Sequence, residues 1–285
     1  VSYTTLPPAD FYTGSAAAFS IRKLSASASY CMKVRRDSDN ATQDIGFQSD
    51  GVIDTGSLLS FVGAGTGYVQ VWYNQVRPSG SLDTTMISGT SFNYPYIVTS
   101  GSLVTKNGKP AVYFNGTSGI GVNSQMNNMT DDSARWFTFA VGHVEDTTTR
   151  VMIRTVDNVA VLNIGQNIRR NATSMESIAY NAAGGAFTDA ETTNPGTNQF
   201  IGYAERTTAA VQMYVNNTSN GSTATTGTPY SASAGMYLGF FGGTTTPSFP
   251  WSGSIQEVIH YGLDPASYDY RTNLTAQING FYGTY

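Results

Sequence analysis

The stretch Gly253-Ser254-Ile255-Gln256-Glu257-Val258-Ile259-His260-Tyr261, near the C-terminus, decides the fold class. Its apolar residues have no helical spacing, and they stop at a second glycine, Gly262. In an extended segment Ile255 and Ile259 lie on one face and Val258 on the other, so we expect both faces to be at least partly buried. The stretch is therefore predicted to be a central strand of a packed β-sandwich.

The rest of the chain supports an all-β protein with little helix. Strands are predicted over residues 68–73, 110–115, 136–141 and 211–215 and from residue 236, and the low-complexity segment 217–228 is predicted to be a loop. Asp54 is expected to cap a short helix that Gly63 ends. A longer C-terminal helix is expected to begin at Asp264-Pro265 and to stop at Gly280. This pattern is typical of a jelly-roll sandwich.

The predicted domain organisation is simple. Residues 1–18, which contain a proline pair and a run of small residues, are expected to form an extended arm. No linker or internal repeat divides the remainder, so residues 19–285 are predicted to be a single domain.

The composition narrows the functional class. Charged residues make up 12% of the chain, about half the usual share of roughly 25%. The net charge is −4, and no basic run is longer than two residues, which argues against nucleic-acid binding. No apolar run approaches the ~20 residues that a membrane-spanning helix needs. Ser, Thr, Asn and Gly take the place of the missing charged residues. A surface rich in hydroxyls and amides favours an extracellular or virion protein.

Metal and serine-nucleophile sites find little support. The single cysteine, Cys31, excludes an internal disulfide, and two histidines, His143 and His260, do not make a metal cluster. Both histidines lie in predicted strands, and no nucleophile-elbow motif is present. The run 37–44 is like the start of a calcium loop but fails the spacing, so a hairpin turn is expected, with calcium held by sandwich loops as the open alternative. We predict no cofactor and no metal.

Glycoside hydrolysis is the enzymatic alternative, and it requires two carboxylates. The chain has five glutamates, and no two of them are predicted to share a strand face; they are Glu145, Glu176, Glu191, Glu205 and Glu257. Glu257 lies on the Ile255 and Ile259 face and is the candidate for a buried acid. The alternative for Glu257 is a structural carboxylate. A hydrolase would use Glu257 or Glu191.

Aromatic side chains are the other candidates for sugar contact, because rings stack on sugars. The candidates are Trp72, Tyr73, Tyr94, Tyr96 and Trp251. Most of these rings are expected in the core, and Trp251 is predicted to be the exposed exception.

Several short motifs occur in an order that resembles a known family. Ser20-Ile21-Arg22-Lys23-Leu24 is followed by Val71-Trp72-Tyr73-Asn74-Gln75, then by Leu238-Gly239-Phe240-Phe241-Gly242-Gly243, and then by Trp251-x-Gly253. The order resembles the catalytic module of the family 54 α-L-arabinofuranosidases, and also concanavalin A-like (laminin-G-like) domains of bacteriophage structural proteins. The resemblance spans residues 19–283 and implies a concanavalin A-like sandwich.

The same resemblance implies site residues, and the chain departs from them. The family's sugar-contacting aspartate is replaced in Tyr73-Asn74-Gln75, and Thr244 stands where the family has its general-acid aspartate. Threonine cannot deliver a proton at useful rates because its pKa is far from neutral. The family's adjacent cysteine pair is absent, and its nucleophilic glutamate has no assigned counterpart. The chain is therefore expected not to be an enzyme.

The leading hypothesis is a noncatalytic, lectin-like module on a phage particle, in a tail fibre, a tailspike or a capsid decoration. Its carbohydrate-binding residues would be Trp72, Tyr73, Asn74, Gln75, Thr244 and Trp251. Its partners would be other virion proteins and host cell-surface glycans, with no nucleic acid or membrane insertion, and it would be a homo-oligomer or multicopy. The alternatives are an arabinofuranosidase-type glycoside hydrolase and a purely structural capsid cement.

Overall fold

The computed structural model describes residues 15–76, 93–126, 136–156, 166–180, 187–207, 209–219, 221–224, 234–240, 249–261 and 270–285. The strands of the first half of the chain are β1 (Ser15–Ser20), β2 (Met32–Arg36), β3 (Thr42–Ile45), β4 (Gly67–Trp72), β5 (Tyr96–Thr99), β6 (Ser102–Leu103), β7 (Thr105–Lys106), β8 (Lys109–Pro110), β9 (Val112–Asn115) and β10 (Ile120–Met126). Those of the second half are β11 (Trp136–Val144), β12 (Arg150–Val156), β13 (Gln166–Arg170), β14 (Ser174–Tyr180), β15 (Phe187–Thr193), β16 (Phe200–Arg206), β17 (Ala210–Val215), β18 (Ser222–Ala224), β19 (Ala234–Leu238) and β20 (Ser252–Tyr261). The helices are α1 (Thr55–Val62) and α2 (Tyr270–Tyr282).

Most of these strands form two antiparallel layers, and β7 and β8 form a separate two-stranded sheet. The 12-stranded sheet has the order β18-β17-β16-β11-β20-β9-β5-β4-β2-β3, with β1 on β20 and β6 on β5. The 6-stranded sheet has the order β10-β19-β12-β13-β14-β15. Its β14 and β15 pack on β16, β17 and β18 of the large sheet. The predicted all-β sandwich with one short helix and a C-terminal helix is confirmed.

Strand β20 has the central position that its sequence predicts. It pairs with β11 along one edge and with β9 and β1 along the other, and every residue from Gly253 to Tyr261 is buried. The alternation of apolar side chains in its neighbour β11 predicts a half-buried strand, and that prediction was wrong. Thr138 and Ala140 are as buried as Phe137 and Phe139 on the opposite face. The period of a strand cannot reveal this, because it reports the residue types and not what covers each face.

Helix α1 agrees with the prediction at both ends. The Asp54 carboxylate accepts a hydrogen bond from the backbone N–H of Ser57 at 3.0 Å, which satisfies a donor of the first turn. At the other end Gly63 has a φ of 66° and its N–H donates to the carbonyl of Leu59.

Helix α2 buries Leu274 and Ile278, which are one helical turn apart in the sequence, but it continues through Gly280 to Tyr282. The predicted stop at Gly280 was wrong because a glycine inside a helix costs only about 1 kcal/mol. The positive φ that ends the helix, 59°, belongs to Gly283. The predicted start at Asp264 lies outside the described residues.

Two further segments bear on the predicted organisation. Residues 1–14 of the predicted arm lie outside the described residues, whereas Ser15–Ser20 pairs with the central strand β20. The boundary between residues 18 and 19 stays a prediction. Within segment 217–228, predicted to be a loop, Ser222–Ala224 forms the edge strand β18. Hydroxyl-rich sequence can pair as an edge strand because the pairing uses backbone groups.

Candidate active site

The edge hairpin of the small sheet carries three carboxylates. Strand β14 pairs with β15 so that Glu176 stands opposite Glu191 and Ile178 stands opposite Asp189. Because side chains alternate along a strand, Asp189 and Glu191 project from the same face, and the intervening Ala190 is buried.

Asp189 and Glu191 line an open cleft of about 360 Å³ at the edge of the sandwich. The opposite wall is Gly221 with Ser222 and Thr223 of β18, whose hydroxyl side chains are exposed. A hydrogen bond of 3.2 Å from the Thr192 hydroxyl to the carbonyl of Thr218 holds β15 against the turn that leads to β18. The two strands that border the cleft are therefore held together, and both acids keep part of their surface in solvent.

The third carboxylate, Glu176, is held within the sheet. Its side chain is 1% exposed and forms an ion pair with Arg169, which lies opposite it on β13. Its other oxygen accepts hydrogen bonds from the Asn171 amide at 2.7 Å and the Ser174 hydroxyl at 3.3 Å. Glu176 is thus a neutralised and positioned carboxylate next to Glu191, and it is not itself accessible to a ligand.

The pair in the cleft has the chemistry that glycoside hydrolysis requires. Residues two apart on a strand have Cα atoms about 7 Å apart. Glycoside hydrolysis needs two carboxylates, one acting on the anomeric carbon and one on the leaving oxygen, and Asp189 and Glu191 supply two on one strand face.

Glu257, the residue whose sequence position suggests a buried catalytic acid, belongs to the interior. Its carboxylate accepts two hydrogen bonds from the Arg22 guanidinium, at 2.7 and 2.8 Å, and others from the Ser20 hydroxyl at 2.8 Å and the Tyr282 hydroxyl at 3.2 Å. The side chain is 0% exposed. Glu257 therefore has the structural role that is the alternative to catalysis.

Most of the residues predicted to contact sugar lie in the core. Trp72 is buried and its indole N–H faces the carbonyl of Ser20 at 3.4 Å. Asn74 accepts from the N–H of Ala18 at 3.1 Å, and Gln75 accepts from the N–H of Leu24 at 2.6 Å. These side chains therefore hold the first strand region in place.

The other three predicted contact residues lie elsewhere. Trp251, expected to be the exposed ring, is buried, and its indole N–H donates to the carbonyl of His143 at 3.1 Å, so that expectation was wrong. Tyr73 is half-buried and donates to Asp44 at 2.5 Å. Thr244 lies outside the described residues. The sugar-binding role of this set stays a prediction, and the structure does not bring the set together at the Asp189–Glu191 cleft.

The sequence does contain a signal for the carboxylate pair. Asp189-Ala190-Glu191 has the acid-x-acid spacing that places two carboxylates on one strand face. A search for pairs of glutamates misses this signal, because the residue that shares the strand face with Glu191 is an aspartate, Asp189.

The predicted hairpin at residues 37–44 is present. Asp39 accepts two hydrogen bonds from Arg36, at 2.8 and 2.7 Å, and these bonds hold the pKa of Asp39 below its usual value. Within the described ranges, no group of three or more His, Cys, Asp or Glu side chains is arranged to hold a metal ion. Neither helix that the structure describes is long and apolar enough to cross a membrane.

Neither a protein-family model nor a curated protein sequence matches this chain. Solved structures do. An arabinofuranosidase complexed with arabinofuranosyl-α-1,2-xylobiose aligns with 96% of this chain and 64% of its own, with 17% identity and a TM-score of 0.69. A glutamate-to-glutamine mutant of a family 54 α-L-arabinofuranosidase, soaked with 4-nitrophenyl α-L-arabinofuranoside, aligns with 96% of this chain and 65% of its own, with 18% identity and a TM-score of 0.71. A family 54 enzyme soaked with a cyclic sulfate inhibitor aligns over 96% and 65%, with 18% identity and a TM-score of 0.68.

The chain has the fold of the family 54 arabinofuranosidases. It spans about two thirds of those proteins, 64–65% of their length. The expectation that the protein is not an enzyme is overturned: the fold it shares over 96% of its length is that of a glycoside hydrolase, and loss of the catalytic residues is not shown. That expectation depended on Asn74, on Thr244, on an absent cysteine pair and on a nucleophilic glutamate without a counterpart. The described residues, however, include an acid pair in a cleft. The bacteriophage part of the resemblance receives no support from these matches.

Proposed function

We propose that the chain is a glycoside hydrolase that removes α-L-arabinofuranosyl groups from a polysaccharide, with Glu191 and Asp189 as its carboxylate pair. The observation that carries the proposal is that both acids lie on one strand face and line the same open cleft. The shared fold with arabinofuranosidases supports the choice of sugar.

The two acids receive different roles from their reach and exposure. Glu191 is exposed and has the longer side chain, so it acts at the anomeric carbon, either directly or by deprotonating the attacking water. Asp189 is half-buried on the same face and donates the proton to the glycosidic oxygen as the bond from carbon to oxygen breaks. Glu176, neutralised by Arg169, fixes the strand that carries this pair.

The test is hydrolysis of 4-nitrophenyl α-L-arabinofuranoside and release of arabinose from arabinoxylan. We expect Glu191→Gln to lower kcat/KM on both substrates by about 10³-fold or more. Asp189→Asn should cost about 10²- to 10⁴-fold on arabinoxylan and less on the aryl substrate, whose leaving group needs little protonation.

Asp50→Asn is the matched control, because an asparagine at this exposed turn can still accept the hydrogen bond from Val52. Full activity of Glu191→Gln, or a wild-type protein that releases no arabinose from either substrate, would sink the proposal. Proton NMR of the first product anomer then assigns Glu191 as nucleophile, on retention, or as base, on inversion.

The predicted location and partners stay predictions. A virion-surface position, contacts with other virion proteins and a multicopy arrangement can be tested by immunogold labelling of purified particles. The predicted partner of the host cell surface, a glycan, would be a carbohydrate substrate or ligand of such an enzyme.

A further inference from the structure

Four neighbouring strands of the large sheet place one side chain each in a row on the same face. Tyr113 on β9 stands opposite Tyr96 on β5, Tyr96 stands opposite Tyr68 on β4, and Tyr68 stands opposite Arg35 on β2. All four are half-buried, so each side chain keeps part of its surface in solvent. We call this row, Tyr113, Tyr96, Tyr68 and Arg35, the tyrosine ladder.

The ladder is held in place by contacts among its own members. The rings of Tyr96 and Tyr113 have centroids 5.1 Å apart and are tilted by 39°. The Arg35 guanidinium lies 4.8 Å from the centroid of Tyr68 and 5.9 Å from that of Tyr94. Such stacking limits the rotamers of the rings before any ligand arrives, which lowers the entropy that binding must remove.

A cleft of about 580 Å³ is lined by Arg35, Tyr68 and Tyr96 of the ladder, and Tyr113 lies beyond its lining. Its volume is within the range of small-ligand sites. Besides tyrosines and Arg35, its lining consists of amide and hydroxyl side chains, which are Asn40, Thr66, Asn93, Thr99 and Asn115. Asn93, Thr99 and Asn115 are exposed, so their polar groups face the solvent that a ligand would replace.

The charged groups beside the ladder already have protein partners. Arg35 donates to the side-chain oxygen of Asn40 as well as stacking on two rings. At the other end Tyr113 donates its hydroxyl hydrogen bond to Glu145. A ligand on this surface would therefore meet ring faces, amides and hydroxyls rather than an unpaired charge.

We propose that the tyrosine ladder is a noncatalytic binding surface for a neutral polysaccharide chain. The apolar faces of sugar rings pack on the tyrosines, and their hydroxyls exchange hydrogen bonds with the amides. Adjacent strands are about 4.8 Å apart, so Tyr113 to Tyr68 spans about 10 Å, the length of a disaccharide. The surface is distinct from the Asp189–Glu191 cleft: the ladder crosses β9 to β2, whereas the cleft lies at β18, the opposite edge of the large sheet.

The test is affinity gel electrophoresis in gels that contain arabinoxylan, linear arabinan or hydroxyethylcellulose. The Glu191→Gln background prevents hydrolysis, so binding is measured whether or not the proposed activity exists. We expect retardation by at least one of these neutral polymers, and we expect Tyr96→Ala and Tyr68→Ala each to weaken it about fivefold. Tyr285→Ala, which removes a tyrosine that is 56% exposed elsewhere, should not change it.

Three results would overturn the proposal. The first is that none of the neutral polymers retards the protein, and the second is that only polygalacturonate does. The third is that Thr223→Arg, in the Asp189–Glu191 cleft, abolishes the retardation whereas the tyrosine variants do not change it. The melting temperature of each variant shows whether weaker binding comes from loss of the ring or from loss of the fold.

Discussion

Arg22 and Glu257 form a two-bond ion pair inside the sandwich, with nitrogen–oxygen distances of 2.7 and 2.8 Å. Burial disfavours the charged guanidinium, but the adjacent carboxylate outweighs it and raises the pKa of Arg22. Burial and the charge of Glu257 also raise the pKa of Tyr282, whose hydroxyl donates to the same carboxylate. The pair therefore joins the chain after β1 to the central strand and to the C-terminal helix.

Removing one member of this pair should be costly. Glu257→Gln leaves a buried guanidinium without its counter-ion, so we expect the free energy of unfolding to fall by about 3–5 kcal/mol. Urea denaturation measures it. The double variant Arg22→Met with Glu257→Gln should lose less than the sum of the single losses, because no uncompensated charge remains. Wild-type stability in Glu257→Gln would contradict this role.

Two glycines should respond in opposite directions to alanine. Gly253 has a φ of 145°, and a Cβ there would stand 2.0 Å from the carbonyl oxygen of His143. Gly253→Ala should therefore lower the free energy of unfolding by about 3 kcal/mol or more. Around Gly280, in α2, a Cβ meets nothing within 4 Å, so Gly280→Ala should raise it by about 0.5–1 kcal/mol. Equal effects in urea titrations would show that the packing at Gly253 is misdescribed.

Cys31 should be inert in the native protein. It is the only cysteine, it is fully buried, and burial raises the pKa of its thiol. Reaction with a chromogenic disulfide reagent should proceed only as fast as the protein opens, and one thiol should appear promptly in concentrated urea. Prompt labelling without denaturant would place Cys31 at the surface.

Stability should fall below neutral pH partly through His143. Burial, helped by the positive charge of Lys106 and opposed by Glu145, lowers the pKa of His143 to about 4. The unfolded chain, with an ordinary value near 6.5, therefore binds a proton that the folded chain does not bind between pH 6.5 and pH 4.

This stabilisation is present above pH 6.5 and is lost as the pH falls towards 4. It amounts to on the order of 1 kcal/mol after allowance for the partial exposure of the ring. The difference in unfolding free energy between pH 7.5 and pH 5 should be smaller in His143→Gln than in the wild type. Identical pH dependence in both proteins would rule out the contribution.

The sequence predicted correctly those helices and strands whose ends are set by residues within the element itself. Asp54 and Gly63 bound a short helix because a cap acts within a turn or two of the chain. Ile255, Val258 and Ile259 predicted a strand buried on both faces, because apolar residues lie on each of its two faces.

The candidate site was only partly predictable. Glu191 is a candidate from the sequence, but its pairing with Asp189 and its position opposite Glu176 depend on the register of β14 and β15. Trp251 was expected at the surface because its neighbours are polar and proline-rich, yet it fills the core. Exposure of one ring depends on what packs over it, and the covering residues lie far away along the chain.

The sequence by itself determined an all-β sandwich, a central strand at residues 253–261 and the supply of acids and rings from which sites are built. Tertiary structure alone decided which of those groups meet. It placed Glu257 against Arg22 in the interior, and it opened a cleft for Asp189 and Glu191 beside β18. It also aligned Tyr113, Tyr96 and Tyr68 across three strands. The physical reason is that strand identity is encoded by alternation within a few residues, whereas register and layer packing are set by contacts between distant segments.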